Sequence, residues 1–248
     1  MEEAAVLSKS AYDYFREGIE FTESELSSYG LEGYKVDEEL SDNYSVVITR
    51  PDGSAVVSYR GTDALEDFVP DLQILLGRHS PFVERFALHR HVLTDRFERA
   101  SQKFEITAAK HSVAYTTGHS LGGSQALSMA RKHQVTSHTF NPGSSPLVEM
   151  IHAGVCSMAD CGELPQTIYS TGLDPISIGS YLFDRVTDKV VTVPKKHGDD
   201  WMSHSISHFL PERKASTPEP VFLQPVRVST GERKPFCQAF PELCKNKF

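Results

Sequence analysis

The stretch from Ser112 to His133 limits the possible folds more than any other part of the chain. Ser112 to Thr117 is a short run of the kind that fills a buried strand. It stops on Gly118, and Leu121 to His133 then carries helical periodicity. Within that helix Gly122, Ala126 and Ala130 recur at i, i+4 and i+8, a stripe of small residues that lets a helix lie very close to a sheet. Arg131, Lys132 and His133 complement the negative end of its dipole. A strand that turns sharply into a helix packed back on the sheet is the repeating unit of layered α/β proteins.

The rest of the chain extends that unit. Residues 1–30 read as helical, with Ala5, Leu7, Tyr12 and Phe15 on one face. Two β-branched runs, Tyr44 to Thr49 and Ala55 to Tyr59, flank Arg50-Pro51-Asp52-Gly53-Ser54, whose Pro-Asp-Gly core predicts a hairpin turn. Leu65, Phe68, Val69, Leu72, Leu75 and Leu76 predict a helix that ends at Gly77. Periodicity is lost from Gly77 to His91, and a longer helix is expected from Leu93 to Lys110. Strands are expected at Val135–Phe140, Thr167–Thr171 and Lys189–Val193. Such alternation predicts a mostly parallel central sheet with helices on both faces. The final 38 residues, Pro211 to Phe248, hold six prolines and little periodicity, so one domain over 1–210 with a Pro-rich extension over 211–248 is expected.

Charge narrows the partners. With 25 Lys+Arg against 33 Asp+Glu the net charge is −8, which argues against nucleic acid as a main partner, since phosphates are neutralised by a basic surface. No stretch approaches the ~20 apolar residues that span a bilayer. The acidic start, Met1-Glu2-Glu3, does not resemble a secretory signal, so a cytoplasmic protein is expected. Cys156 with Cys161 and Cys237 with Cys244 form two local pairs. Neither has zinc-knuckle spacing, and free thiols without a catalytic role are expected.

Chemistry concentrates at Gly118-His119-Ser120-Leu121-Gly122-Gly123. A bare Gly-x-Ser-x-Gly arises by chance in roughly one chain in ten of this composition, so its placement between strand and helix carries the weight. A serine used as a nucleophile at a strand end needs a sharp turn, and glycines two residues to either side remove the collisions that turn creates. The plainer alternative is a serine that merely caps the helix. The loop lacks the spacing of either phosphate-cradling glycine motif. A nucleophilic Ser120 needs a histidine base and an acid, in the order serine, acid, histidine. Asp174, just after the Thr167–Thr171 strand, is placed better than Asp160, Asp184, Asp188, Asp199 or Asp200. Of His197, His204 and His208, His204 opens a loop entering a last short helix, where mobility suits a base. His204 and His208 also have the i, i+4 spacing of a metal pair, but no Glu follows His204 to complete the zinc-protease motif.

Three segments together resemble the class 3 (fungal-type) lipases of the α/β-hydrolase superfamily. They are Tyr59-Arg60-Gly61-Thr62 with Asp67-Phe68 and Asp71-Leu72, then Gly118–Gly123 with Phe140-Asn141-Pro142-Gly143, then His204-Ser205-Ile206. The resemblance spans about Tyr44 to Leu210 and implies an α/β-hydrolase fold, with Ser120 as nucleophile, Asp174 as orienting acid and His204 as base. It makes Thr62 the oxyanion residue, acting with the N–H of Leu121, and Asp67 and Asp71 ties for the Thr62 loop. Where the family often has Asp-Trp this chain has Asp67-Phe68, and 77–91 is short and polar for a large lid. Ester hydrolysis is thus implied more directly than action on an oil surface.

Leu75, Phe82 and Phe86, with Leu76, Val83 and Leu88, are candidates for an acyl groove, although such a set serves equally as core. His79, His89 and His91 are expected to be surface residues. The expected activity is cleavage of lipid carboxylic esters through an acyl-serine, with no metal or organic cofactor. The substrate is a lipid or another acyl ester, and contact with a lipid interface is allowed. A phospholipase, a thioesterase or acyltransferase, and a non-catalytic lipase-fold binding protein are the alternatives.

Overall fold

A computed structural model describes residues 1–61, 82–143, 164, 166–171, 189–196 and 204–214, with 82–94 as helical backbone only. These residues belong to one unit, Met1–Lys214. Its frame is a seven-stranded sheet in which neighbours in sequence are neighbours in space. The strands are β1 (Lys35–Val36), β2 (Ser45–Thr49), β3 (Ala55–Tyr59), β4 (Val113–His119), β5 (Thr136–Phe140), β6 (Thr167–Ser170) and β7 (Lys189–Thr192). The pairs β1–β2 and β2–β3 are antiparallel, and β3 through β7 pair in parallel. The sheet is therefore mixed but mostly parallel, as the strand–helix alternation predicts.

The β2–β3 hairpin closes where its turn chemistry requires. Gly53 takes φ 84° and donates to the Arg50 carbonyl at 2.9 Å, and Asp52 accepts from the Ser54 amide at 2.9 Å. In the parallel part the strands step across the sheet in one direction only. Right-handed crossovers then put successive connecting helices on the same face. Two such helices, α3 (Phe82–Lys110) and α4 (Leu121–His133), share one core, where Phe97, Ala100 and Phe104 meet Ala126 and Met129 over Val57 and Tyr59. The opposite face is covered by the N-terminal hairpin of α1 (Glu2–Glu17) and α2 (Ile19–Ser28). There Ala4, Ala5, Leu7, Ala11 and Leu26 pack with Val46, Ile48, Val56, Tyr115 and Phe140.

Several boundaries differ from expectation for identifiable reasons. The N-terminal helix is broken at Gly18, whose φ of 85° halts it, and Phe15 does not share the buried face of Ala5, Leu7 and Tyr12. It is 42% exposed, with the Arg60 guanidinium 3.6 Å above its ring. Helix α3 begins at Phe82, well before Leu93, because no glycine or proline interrupts 82–110 and backbone propensity continues the helix where apolar periodicity is poor. Strand β4 runs on to His119, because Gly118 stays in register between Tyr59 and Thr139. The expected helix at Leu65–Leu76, the cysteines and the extension from residue 215 onward lie outside the described residues.

Candidate active site

Ser120 stands between the last residue of β4 and the first of α4, at φ 57° and ψ −131°. A residue with a side chain rarely adopts that conformation, which costs about 1–3 kcal/mol and persists only where its surroundings impose it. Here they do. The Ser120 amide donates to the Phe140 carbonyl at 3.2 Å, and the Ser120 carbonyl accepts from the amides of Gly143 at 2.9 Å and Ser124 at 3.2 Å. The Ser120 side chain makes no capping hydrogen bond to α4, so the helix-cap alternative does not describe this serine.

The glycines around it are required by contact. A Cβ on Gly118 would collide with the Gly122 carbonyl, and one on Gly122 would strike the carbonyl of Tyr59. A Cβ on Gly61 would lie 2.7 Å from the His119 carbonyl and 3.2 Å from the Ser120 Cβ. The ends of β3 and β4 and the start of α4 therefore meet at backbone distance around Ser120. Leu121 opens α4, where amides have no intrahelical acceptor and the dipole is positive. Beside this point Arg96 donates to the Arg60 carbonyl at 2.7 Å, and the Gln125 side chain donates to the Arg96 carbonyl at 3.0 Å. Burial, and then the neighbouring Arg60 charge, pulls the Arg96 pKa below its ordinary value.

The fold brings His204 to the elbow. Its ring lies 4.7 Å, centroid to centroid, from the ring of His119, and its carbonyl accepts from His119 Nε2. Ser120 and His204 are each only 3% exposed. The mobility expected for the His204 loop is replaced by anchorage. Phe209 is fully buried with its ring 5.1 Å from Phe140, Ser205 accepts from the Ser207 amide, and His208 Nδ1 accepts from the Lys196 amide at 3.3 Å. The short helix after His204 is a single 3-10 turn, Ile206–His208. Among the described residues no group of three or more His, Cys, Asp or Glu is placed to hold a metal ion.

Asn141 links the elbow to the next strand. At φ 39° its amide donates to the Tyr169 carbonyl at 2.8 Å, while its side chain accepts from the Thr171 amide at 3.0 Å and donates to Thr171 Oγ1 at 3.2 Å. Thr171 is the last described residue before 172–188, the segment that contains Asp174. Thr62, Asp67, Asp71, Leu75 and Asp174, the other candidate acids and His197 all lie outside the described residues, as do the side chains of Phe82 and Phe86.

Of the expected site residues, Ser120 and Leu121 are consecutive at the elbow, and the ring of His204 lies beside that of His119, the residue that precedes Ser120. Tyr12 is the participant that the sequence did not reveal, its hydroxyl 3.1 Å from His119 Nδ1. As one apolar-face position of a helix far along the chain, it carried no local signal. No protein-family model matches the chain, and no curated protein matches it significantly. Among the described residues no helix is long and apolar enough to cross a membrane.

Proposed function

We propose that this protein is a serine hydrolase of the α/β-hydrolase type, which cleaves carboxylic esters of lipids through an acyl intermediate on Ser120. The observation that carries the reading is the conformation of Ser120. A serine at φ 57° and ψ −131°, between a parallel strand and a helix and cleared by glycines on both sides, has the backbone that a nucleophile elbow demands. A helix-capping serine needs none of these features.

In this mechanism Ser120 Oγ attacks the ester carbonyl while His204 accepts its proton. His204 then delivers that proton to the departing alcohol, and in the second half it activates the water that releases the acid. Asp174 orients His204 and stabilises the imidazolium. The N–H groups of Leu121 and Thr62 hold the oxyanion of the tetrahedral intermediate, and the positive end of α4 adds to that field.

A fluorophosphonate probe is expected to label Ser120 in the folded protein, and Ser120→Ala is expected to lose both the label and ester turnover, by roughly 10³–10⁶-fold in kcat. A folded wild-type protein that neither labels nor hydrolyses any member of a panel of acylglycerol, phospholipid, thioester and short-chain esters overturns the proposal.

A further inference from the structure

The α1 face of β4 carries a polar ladder directed toward the elbow. Alternate residues of a strand share a face, so Tyr115, Thr117 and His119 all face α1. Tyr115 donates to Glu3 at 2.8 Å, Thr117 donates to the Ala4 carbonyl at 3.1 Å, and His119 Nδ1 meets the Tyr12 hydroxyl at 3.1 Å. The two elements are commensurate. The nine helical steps from Glu3 to Tyr12 rise about 13.5 Å, and the four strand steps from Tyr115 to His119 span about 13 Å. Anchored near its start, α1 therefore delivers Tyr12 to the catalytic end of the strand. Gly61 keeps the path clear, since a Cβ there would run into the Tyr12 hydroxyl.

Hydrogen-bond direction at His119 follows from its partners. A carbonyl can only accept, so the bond to the His204 carbonyl requires the proton on His119 Nε2. In the neutral ring Nδ1 is then the acceptor, and the Tyr12 hydroxyl donates to it. The same hydroxyl lies 3.4 Å from the His119 carbonyl, a longer contact that competes for its single proton. Tyr12 and His119 are each 8% exposed, so both bonds are sheltered from competing water.

We infer that Tyr12 and His119 are positioning residues for the base: Tyr12 fixes the tautomer and orientation of His119, and His119 fixes the backbone from which the His204 imidazole projects. The inference rests on the assignment of His204 as base. The relay makes no contact with substrate. It acts by holding the His204 ring where a proton can pass from Ser120, a geometry in which a misplacement of about 1 Å costs roughly 10²-fold. Its signature is a loss in kcat with KM retained.

Steady-state kinetics on the full chain test it. Tyr12→Phe is expected to lower kcat roughly tenfold and His119→Leu roughly 10²-fold, each with KM within about twofold of wild type. His119→Gln, which restores an N–H at the reach of Nε2, is expected to recover most of the loss, and adding Tyr12→Phe to it is expected to cost nothing more. Thermal midpoints measured alongside separate this from a merely structural role. If kcat follows the midpoint across the set and His119→Gln fails to rescue, the relay is wrong.

A second readout does not depend on turnover. Nitrogen-15 NMR of the histidine rings is expected to show His119 protonated at Nε2 and accepting at Nδ1, with the Nδ1 signal shifted in Tyr12→Phe. An Nδ1-protonated ring overturns the relay whatever the activity. A wild-type enzyme that turns over ester, with Tyr12→Phe its equal, removes the relay and leaves the hydrolase reading intact. A protein with the expected tautomer but no labelling or turnover removes the hydrolase reading, and with it the kinetic role of the relay.

Discussion

The two faces of β4 hold Ser120 in opposite ways. Toward α4 the contact is made by the absence of side chains, with Gly118 and Gly122 bringing strand and helix backbones together. Toward α1 it is made by side chains, a sequence of hydrogen bonds in which Tyr115 and Thr117 donate and His119 accepts. One face is fixed by steric clearance between residues close in sequence, and the other by polar partners about a hundred positions apart. Clearance tolerates no added atom, whereas a polar ladder can lose a rung and remain closed over its neighbours.

Substitutions on the two faces test that contrast. Gly122→Ala drives a methyl into the Tyr59 carbonyl and is expected to destabilise by about 3 kcal/mol, lowering the thermal midpoint of a chain this size by roughly 6–12 °C. Thr117→Val removes the hydroxyl bonds to the Ala4 and His138 carbonyls at similar volume and is expected to cost about half as much, ~1.5 kcal/mol. Denaturant unfolding of the pair decides it, and equal losses would erase the distinction between the faces.

A smaller effect with the opposite sign sharpens it. Ser120→Gly keeps the turn but removes the side chain that makes φ 57° unfavourable, so it is expected to be more stable than Ser120→Ala by about 1 kcal/mol, with both inactive. Identical midpoints would mean that the elbow stores no strain.

The smallest expected effect lies on the polar side. His138 sits between the rings of Tyr115 and Tyr169, and burial chiefly, with the N-terminal charge adding, pulls its pKa below the ordinary 6.5. The unfolded chain therefore takes up a proton below pH 6.5 that the folded chain resists, and stability falls as pH drops from 6.5 through the folded value. Half-buried His133 contributes with the same sign. Midpoints measured from pH 7 to 5 are expected to decline, less steeply in His138→Gln, and an unchanged slope would remove His138 from the account.

The same contrast explains what could be read from sequence. The elbow, α4 and the hairpin are encoded by neighbours, since Gly118, Gly122, Ala126 and Pro51-Asp52-Gly53 carry their geometry in their own conformational limits. Helix α4 spans Leu121–His133 as read. The candidacy of His204 came from the order in which such chemistry recurs along a chain, not from its surroundings. Its anchoring by Phe209, and the approach of Tyr12 through His119, depend on which distant surfaces meet. The break at Gly18 and the two-residue β1 escaped because one glycine among helix formers, or two residues with no alternation, leave no periodic trace.

The strictly sequential order of the sheet has a consequence for synthesis. From β3 onward each strand leaving the ribosome finds its pairing edge already in place, and that edge belongs to the segment made just before it. The serine turn can thus assemble while much of the polypeptide is still untranslated, whereas His204 arrives after β7. A nascent chain therefore carries the proposed nucleophile without the proposed proton acceptor until translation of this unit is almost complete.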